Sequence, residues 1–212
     1  MSELFGHHQL SSRHVFDLRL ELVSPLRLSS GRASAETDAP LMRTRAGTPY
    51  LPGSSLRGAI RSEVERIVSA VGEIQGLRSC VLFAAEGDAT GCLTGASRKR
   101  LDEIQDRLRA DKEAEVLAEL EDGLCDVCRL FGSPLFGSRL MISDAYPAGG
   151  DPPEAKTMVR DGVGIDRDTG TAAENVKFDF EVLETGPLFS FSMQVENMSS
   201  TDRKLVSLVL GL

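Results

Sequence analysis

Residues 177–195 read KFDFEVLETGPLFSFSMQV. Two runs in this stretch alternate strictly. In Lys177–Val182 the apolar positions are Phe178, Phe180 and Val182, and in Leu188–Val195 they are Phe189, Phe191, Met193 and Val195. A period of two puts every apolar side chain of a run on one face of an extended strand. Glu184–Thr185–Gly186–Pro187 is turn chemistry between them, so the stretch predicts a hairpin with one buried face.

The same period recurs upstream. From His14 to Val23, Phe16, Leu18, Leu20 and Leu22 alternate with Asp17, Arg19 and Glu21, which predicts a strand. Arg139 to Ala145 predicts a further strand. Between them the period changes. Leu56, Ile60, Val64, Ile67, Val68 and Val71 fall on one helical stripe, with Ser54 or Ser55 at its start and Gly72 as its expected stop. Arg100 to about Glu121 is a second helical stretch with a thin apolar stripe, expected to be a solvated peripheral helix. Lys204–Leu212 reads as the first turns of a last helix, and residues 24–53 and 146–175 read as long polar loops. Strand, helix, insertion, strand, loop, hairpin and helix together predict an α+β domain, an antiparallel sheet backed by helices.

Composition narrows the function. The chain has 212 residues and 22.9 kDa, enough for one domain or two small ones. With 41% apolar and 26% charged residues it can bury a core. Aromatics are 5%, which disfavours an aromatic-rich base-stacking platform. The net charge of −8 taken alone disfavours a nucleic-acid partner, but the charge is unevenly spread. Residues 27–62 hold six arginines against two acids, whereas 101–126 hold ten acids against three bases. No apolar run is long enough to span a membrane, and the N-terminal residues lack the apolar segment of a signal peptide. A cytoplasmic location follows as the expectation. In that reducing compartment cysteines serve metals more often than disulfides.

Cys125 and Cys128 form a Cys-x-x-Cys, and Cys80 and Cys92 lie upstream. Four thiolates make the usual closed structural zinc site, with Cys80 and Cys92 the more loosely spaced half. Four unrelated buried thiols, or a redox pair, are the other readings of the same residues. The redox reading is disfavoured because the motif does not follow a strand in a βαβ pattern.

The stretch TPYLPGSSLRGAIRSEVERI, residues 48–67, turns at Pro52–Gly53 into a helix start. Ser54 and Ser55 place hydroxyls beside free amides, and Arg57 and Arg61, four apart, share a helical face. Such groups together suit a phosphate. An ordinary capped helix with solvated arginines is the plainer alternative. A Walker loop is ruled out, since GxxxxGK[ST] is absent.

Four segments carry a resemblance: SSGRASAETDAPLMRTRAG (29–47), PYLPGSSLRGAIRSEVE (49–65), CDVCRLFGSPLFGSRLMISDA (125–145) and VRDGVGIDRDTGTAAENVKF (159–178). In order and spacing the sequence resembles the RAMP superfamily of CRISPR-associated proteins, and within it the repeated backbone subunit of type III effector complexes. The resemblance implies a single domain over 1–212 with a ferredoxin-like, RRM-like core. It implies an insertion at about 73–135, with zinc and an acidic helix, and a β-hairpin thumb within about 146–178. Its implied partners are guide RNA (crRNA), target RNA, copies of the same or similar subunits in a filament, and other CRISPR effector subunits. Ser54, Ser55, Arg57 and Arg61, with Arg160 and Arg167 from the thumb, would follow the guide backbone. The family's usual C-terminal glycine-rich loop and last strand have no counterpart before Leu212.

The resemblance also implies target-RNA cleavage by an acid in the loop before the Pro-Gly-Ser-Ser motif. Asp38 matches that position and Glu36 does not. The carboxylate could hold a divalent ion, magnesium being the expected one, or orient a 2′-hydroxyl that RNA has and DNA lacks. Three functions therefore stand: an RNA-guided RNA endonuclease subunit, a non-catalytic structural subunit of the same filament, and an unrelated zinc-stabilised binding module.

Overall fold

A computed structural model describes residues 7–31, 33–34, 37–80, 98–110, 112–149 and 155–211. The elements in order are β1 (Arg13–Glu21), α1 (Gly53–Gln75), α2 (Arg98–Arg109), α3 (Glu113–Gly123), α4 (Asp126–Phe131), β2 (Leu140–Ile142), β3 (Tyr146–Ala148), β4 (Thr157–Ile165), β5 (Ala172–Leu183), β6 (Leu188–Glu196) and α5 (Ser200–Leu210).

One sheet has the order β1-β6-β2, with β3 also paired to β6. β2 and β3 run antiparallel to β6, Leu140 facing Val195 and Tyr146 facing Ser190. β1 is antiparallel to β6 as well, since Ser12 accepts from the Asn197 amide while Leu22 exchanges backbone hydrogen bonds with Gly186 and Pro187. A strand, a helix, two strands with the later one central, and a helix are the ferredoxin-like plan. The fold class expected from the sequence is the one found.

The chain divides into two compact units. The first comprises residues 1–16, 56–142 and 193–212. Its buried residues include Val64 and Val68 of α1, Val127, Leu130 and Phe131 of α4, Leu140 of β2, Met193 and Val195 of β6, and Leu205 and Val206 of α5. Ile104, Val116 and Leu120 are also buried, so the thin stripe of the acidic stretch does have a dry side. That stretch is two helices, α2 and α3, and Arg107 of α2 pairs with Glu119 of α3 at 2.5 Å. α5 begins with a capping box in which Ser199 and Asp202 satisfy each other's amides. α1 runs past Gly72, and its end falls at Gly76, whose φ of +65° suits glycine. Val71, placed on the α1 stripe by spacing, is 37% exposed.

The second unit comprises residues 17–55 and 143–192. Here the sequence expectation needs correction. β5 and β6 alternate as predicted but do not pair with each other. β5 pairs along its length with β4, from Thr157 opposite Leu183 to Ile165 opposite Ala172. The polar stretch 146–175 therefore contains β3, β4 and the start of β5. The hairpin closes on Asp166, whose carboxylate accepts the amides of Asp168 and Thr169 at 2.9 and 2.8 Å and the Thr169 hydroxyl at 3.0 Å. The turn at 166–171, ordered on Asp166, joins β4 to β5, whereas β6 pairs with β1, β2 and β3.

Candidate functional site

Asp38 lies in the loop between β1 and α1, and its side chain is exposed. The loop lies along β5. The Asp38 amide donates to Asp179 Oδ1 at 2.9 Å, and the Asp179 amide donates to Asp38 Oδ2 at 3.1 Å. The Glu181 amide donates to the Ala39 carbonyl, and Glu181 Oε2 accepts the Leu41 amide at 3.0 Å. Arg43 pairs with the other oxygen of Glu181. Asp179 is held below the usual aspartate range, chiefly by the Thr37 hydroxyl and then by the Asp38 amide. Burial works against the charge of Glu181. The Leu41 amide, the Thr157 hydroxyl and Arg43 outweigh it and keep that carboxyl below its ordinary value. Glu36, the neighbouring acid, lies outside the described residues.

The Pro-Gly-Ser-Ser turn is where α1 begins. Its first amide, at Gly53, donates to Asp144 Oδ1 at 2.8 Å. A carboxylate thus already sits at the positive end of the helix. Ser54, Ser55 and Arg57 are exposed on the first turns. Arg61 behaves differently from Arg57. It pairs with Glu65 at 2.8 Å, donates to the Gly132 carbonyl at 2.6 Å and reaches Cys128 Sγ at 3.2 Å. Its side chain is only 13% exposed. Arg160 of β4 and Arg167 of the β4–β5 turn are exposed, and Arg160 Nε touches Met158 Sδ at 3.4 Å.

Cys80, Cys125 and Cys128 are all buried, and their sulfurs lie within 4.8 Å of one another. Cys80 Sγ is 3.5 Å from Cys128 Sγ. Cys125 caps α4, its sulfur accepting the Cys128 amide at 3.4 Å. A metal with bonds of about 2.3 Å to sulfur spans such a triangle. These three residues are placed to hold a metal. Cys92 lies outside the described residues. The Arg78 amide donates to Asp126 Oδ2 at 2.7 Å, fixing the segment that brings Cys80 to the Cys-x-x-Cys.

Sequence reasoning singled out Asp38 and the cysteines but not Asp179, Glu181 or Asp144. All three sit at polar positions of alternating or loop segments, where the pattern reads as ordinary solvated charge. Only the docking of the 37–43 loop on β5, and of Asp144 on the α1 amide, gives them work.

The described residues thus contain an antiparallel sheet with helices, a separately paired β-hairpin, a polar loop tied to that hairpin and a buried cysteine triad. The chain matches the RAMP superfamily over residues 19–212 and belongs to that superfamily of CRISPR-associated proteins. Membership supports a CRISPR-associated RNA-binding module and removes the alternative of a module unrelated to the family. No curated protein matches the chain. Among the described residues no helix is long and apolar enough to cross a membrane.

Proposed function

We propose that the chain is a guide-RNA-binding backbone subunit of a type III CRISPR effector complex and that it cuts guide-paired target RNA at Asp38. The observation that carries the catalytic part is the exposed Asp38 carboxylate, held at one oxygen by the β5 amide of Asp179. One fixed oxygen leaves the other to act on RNA. A loop acid oriented before substrate arrives avoids part of the ordering cost of the reaction. In this reading the RNA 2′-oxygen attacks the adjacent phosphorus and the bond to the 5′-oxygen breaks.

Magnesium is bound by one or two carboxylates plus substrate phosphates, so a single exposed aspartate beside a scissile phosphate is a fitting donor set. When bound, the ion would neutralise charge building on the phosphate. Ser54, Ser55 and Arg57 would contact the guide backbone, and Arg160 and Arg167 would do so from the β4–β5 hairpin, the thumb of this reading. Readout of sequence would rest on base pairing. Further copies of the chain, other effector subunits and the target RNA complete the proposed assembly. The metal proposed for Cys80, Cys125 and Cys128 is structural zinc. Buried thiolates are its usual donors, and Cys92 is proposed as the fourth.

The same clamp favours a second reading, in which Asp38 only ties the loop to β5 in a non-catalytic subunit. Asp38→Asn separates the two. An asparagine keeps the acceptor for the Asp179 amide and loses the charge. Loss of target cleavage by an assembled complex with unchanged target binding supports catalysis. Cleavage at the wild-type rate leaves the clamp as the sole role.

A further inference from the structure

Strand β1 is an edge of its sheet. It pairs with β6 on one side, and among the described residues nothing pairs with it on the other. Ser12 accepts from the Asn197 amide, and Leu22 exchanges hydrogen bonds with Gly186 and Pro187. Backbone direction alternates along a strand, so the even-numbered residues from 12 to 22 turn their amides and carbonyls toward β6. The odd-numbered residues Arg13, Val15, Asp17, Arg19 and Glu21 turn theirs outward, with no ladder to join. An edge of this kind is a template for the addition of a further strand.

The side chains of β1 are incompletely covered as well. Phe16, Leu18 and Leu20 share one face of the strand and are only half-buried, whereas Phe189 and Met193 of the neighbouring β6 are fully buried. On the other face Val15, Asp17, Arg19 and Glu21 are exposed. Among the described residues Asp17 and Arg19 form no ion pair, unlike Arg13, which pairs with Glu196. Opposite charges two positions apart on one face make the strand complementary to itself. Two such strands laid antiparallel about Leu18 set Asp17 of each against Arg19 of the other, Phe16 against Leu20 and Leu18 against Leu18. Asp17 and Arg19 both turn their backbone groups outward, so the same register lets them exchange backbone hydrogen bonds. Slipping by two residues opposes Asp17 to Asp17 or Arg19 to Arg19, so the charges select this alignment over its neighbours.

We propose that the β1 edge is a self-pairing surface, by which two copies of the chain join their β1 strands antiparallel into one continuous sheet about a two-fold axis at Leu18. The contact is isologous. It uses the edge of both copies and closes at a pair, so it is distinct from any head-to-tail contact that builds a filament. It needs no RNA and does not rest on the guide-binding reading above.

Sedimentation equilibrium of the full 212-residue chain, freed of nucleic acid, tests the pairing. The wild type should be dimeric at about 10 μM. Asp17→Arg and Arg19→Asp each set like charges opposite one another at both central pairs, and each alone should weaken dimerisation by about ten-fold or more. An equimolar mixture of the two variants restores opposite charges at both pairs and should recover a dimer close to wild-type affinity. Raising the salt should weaken the wild-type dimer, a measurement that stays decisive if either reversal fails to fold. A wild type that remains monomeric up to about 100 μM would overturn the proposal. A dimer that both reversals leave intact, or one insensitive to salt, would also overturn it. A mixture that associates no more tightly than its separate components would do the same.

Discussion

Asp38 and Asp179 exchange hydrogen bonds in both directions, each backbone amide donating to the other's carboxylate. The two residues are 141 positions apart. The loop acid is therefore held by a strand of the hairpin, and its orientation depends on Asp179 as well as on its own loop. Asp179→Ala removes the acceptor for the Asp38 amide and the Thr37 hydroxyl. We expect single-turnover cleavage of guide-paired RNA to slow by roughly ten-fold, in keeping with the sensitivity of oriented catalysis to small misplacement. Asp179→Asn keeps an acceptor oxygen and should recover most of the rate. Equal rates for the alanine variant and wild type would show that the exchange does not position the catalytic group.

Glu181 anchors the same loop by its contacts with Leu41 and Arg43, and its carboxyl is held below the ordinary glutamate value. A lowered folded-state value contributes stability above the unfolded value, and that contribution is lost as pH falls through the folded one. Glu181→Gln should therefore lower stability at neutral pH by about 1–3 kcal/mol, the cost of weakening hydrogen bonds to a part-buried charge. The deficit should shrink as pH drops below about 4. Denaturant unfolding of both proteins across that range measures it. A constant difference would mean that the charge is not what Glu181 contributes.

The cysteine triad predicts about one zinc per chain by elemental analysis. Cys125→Ser or Cys128→Ser should release it and lower the unfolding temperature, since a structural metal adds directly to folding free energy. Cys92→Ser tests the fourth ligand. Protein that contains no zinc and is insensitive to chelator would reject the metal centre.

Arg57 and Arg61 should separate. Arg57→Gln removes an exposed charge and should weaken RNA binding uniformly across sequences, reducing the salt slope by about one. Arg61→Gln breaks contacts with Cys128, Gly132 and Glu65. It should chiefly accelerate zinc loss to a chelator and lower stability, with a smaller effect on RNA affinity. Equal effects of the two variants on the salt slope would restore Arg61 to the RNA surface.

Period and local chemistry in the sequence were enough to place β1, the body of α1, α5, the alternating runs of β5 and β6, and the Cys-x-x-Cys turn. Each depends on which side of a short segment faces the core, and that is written in neighbouring residues. Pairing is a different kind of information. The runs at 177–182 and 188–195 have the pattern of a hairpin, yet β5 finds β4 and β6 joins the central sheet. Alternation specifies a face and leaves the edge partner open. Spacing put Arg57 and Arg61 on one helical face. Gly132 and Cys128, brought beside α1 by tertiary packing, drew only Arg61 inward. Cys80 meets Cys128 across 48 positions, and Asp38 meets Asp179 across 141. Hydrogen bonds and sulfur contacts act over about 3–4 Å of space, so these partnerships exist only once the chain has folded back on itself.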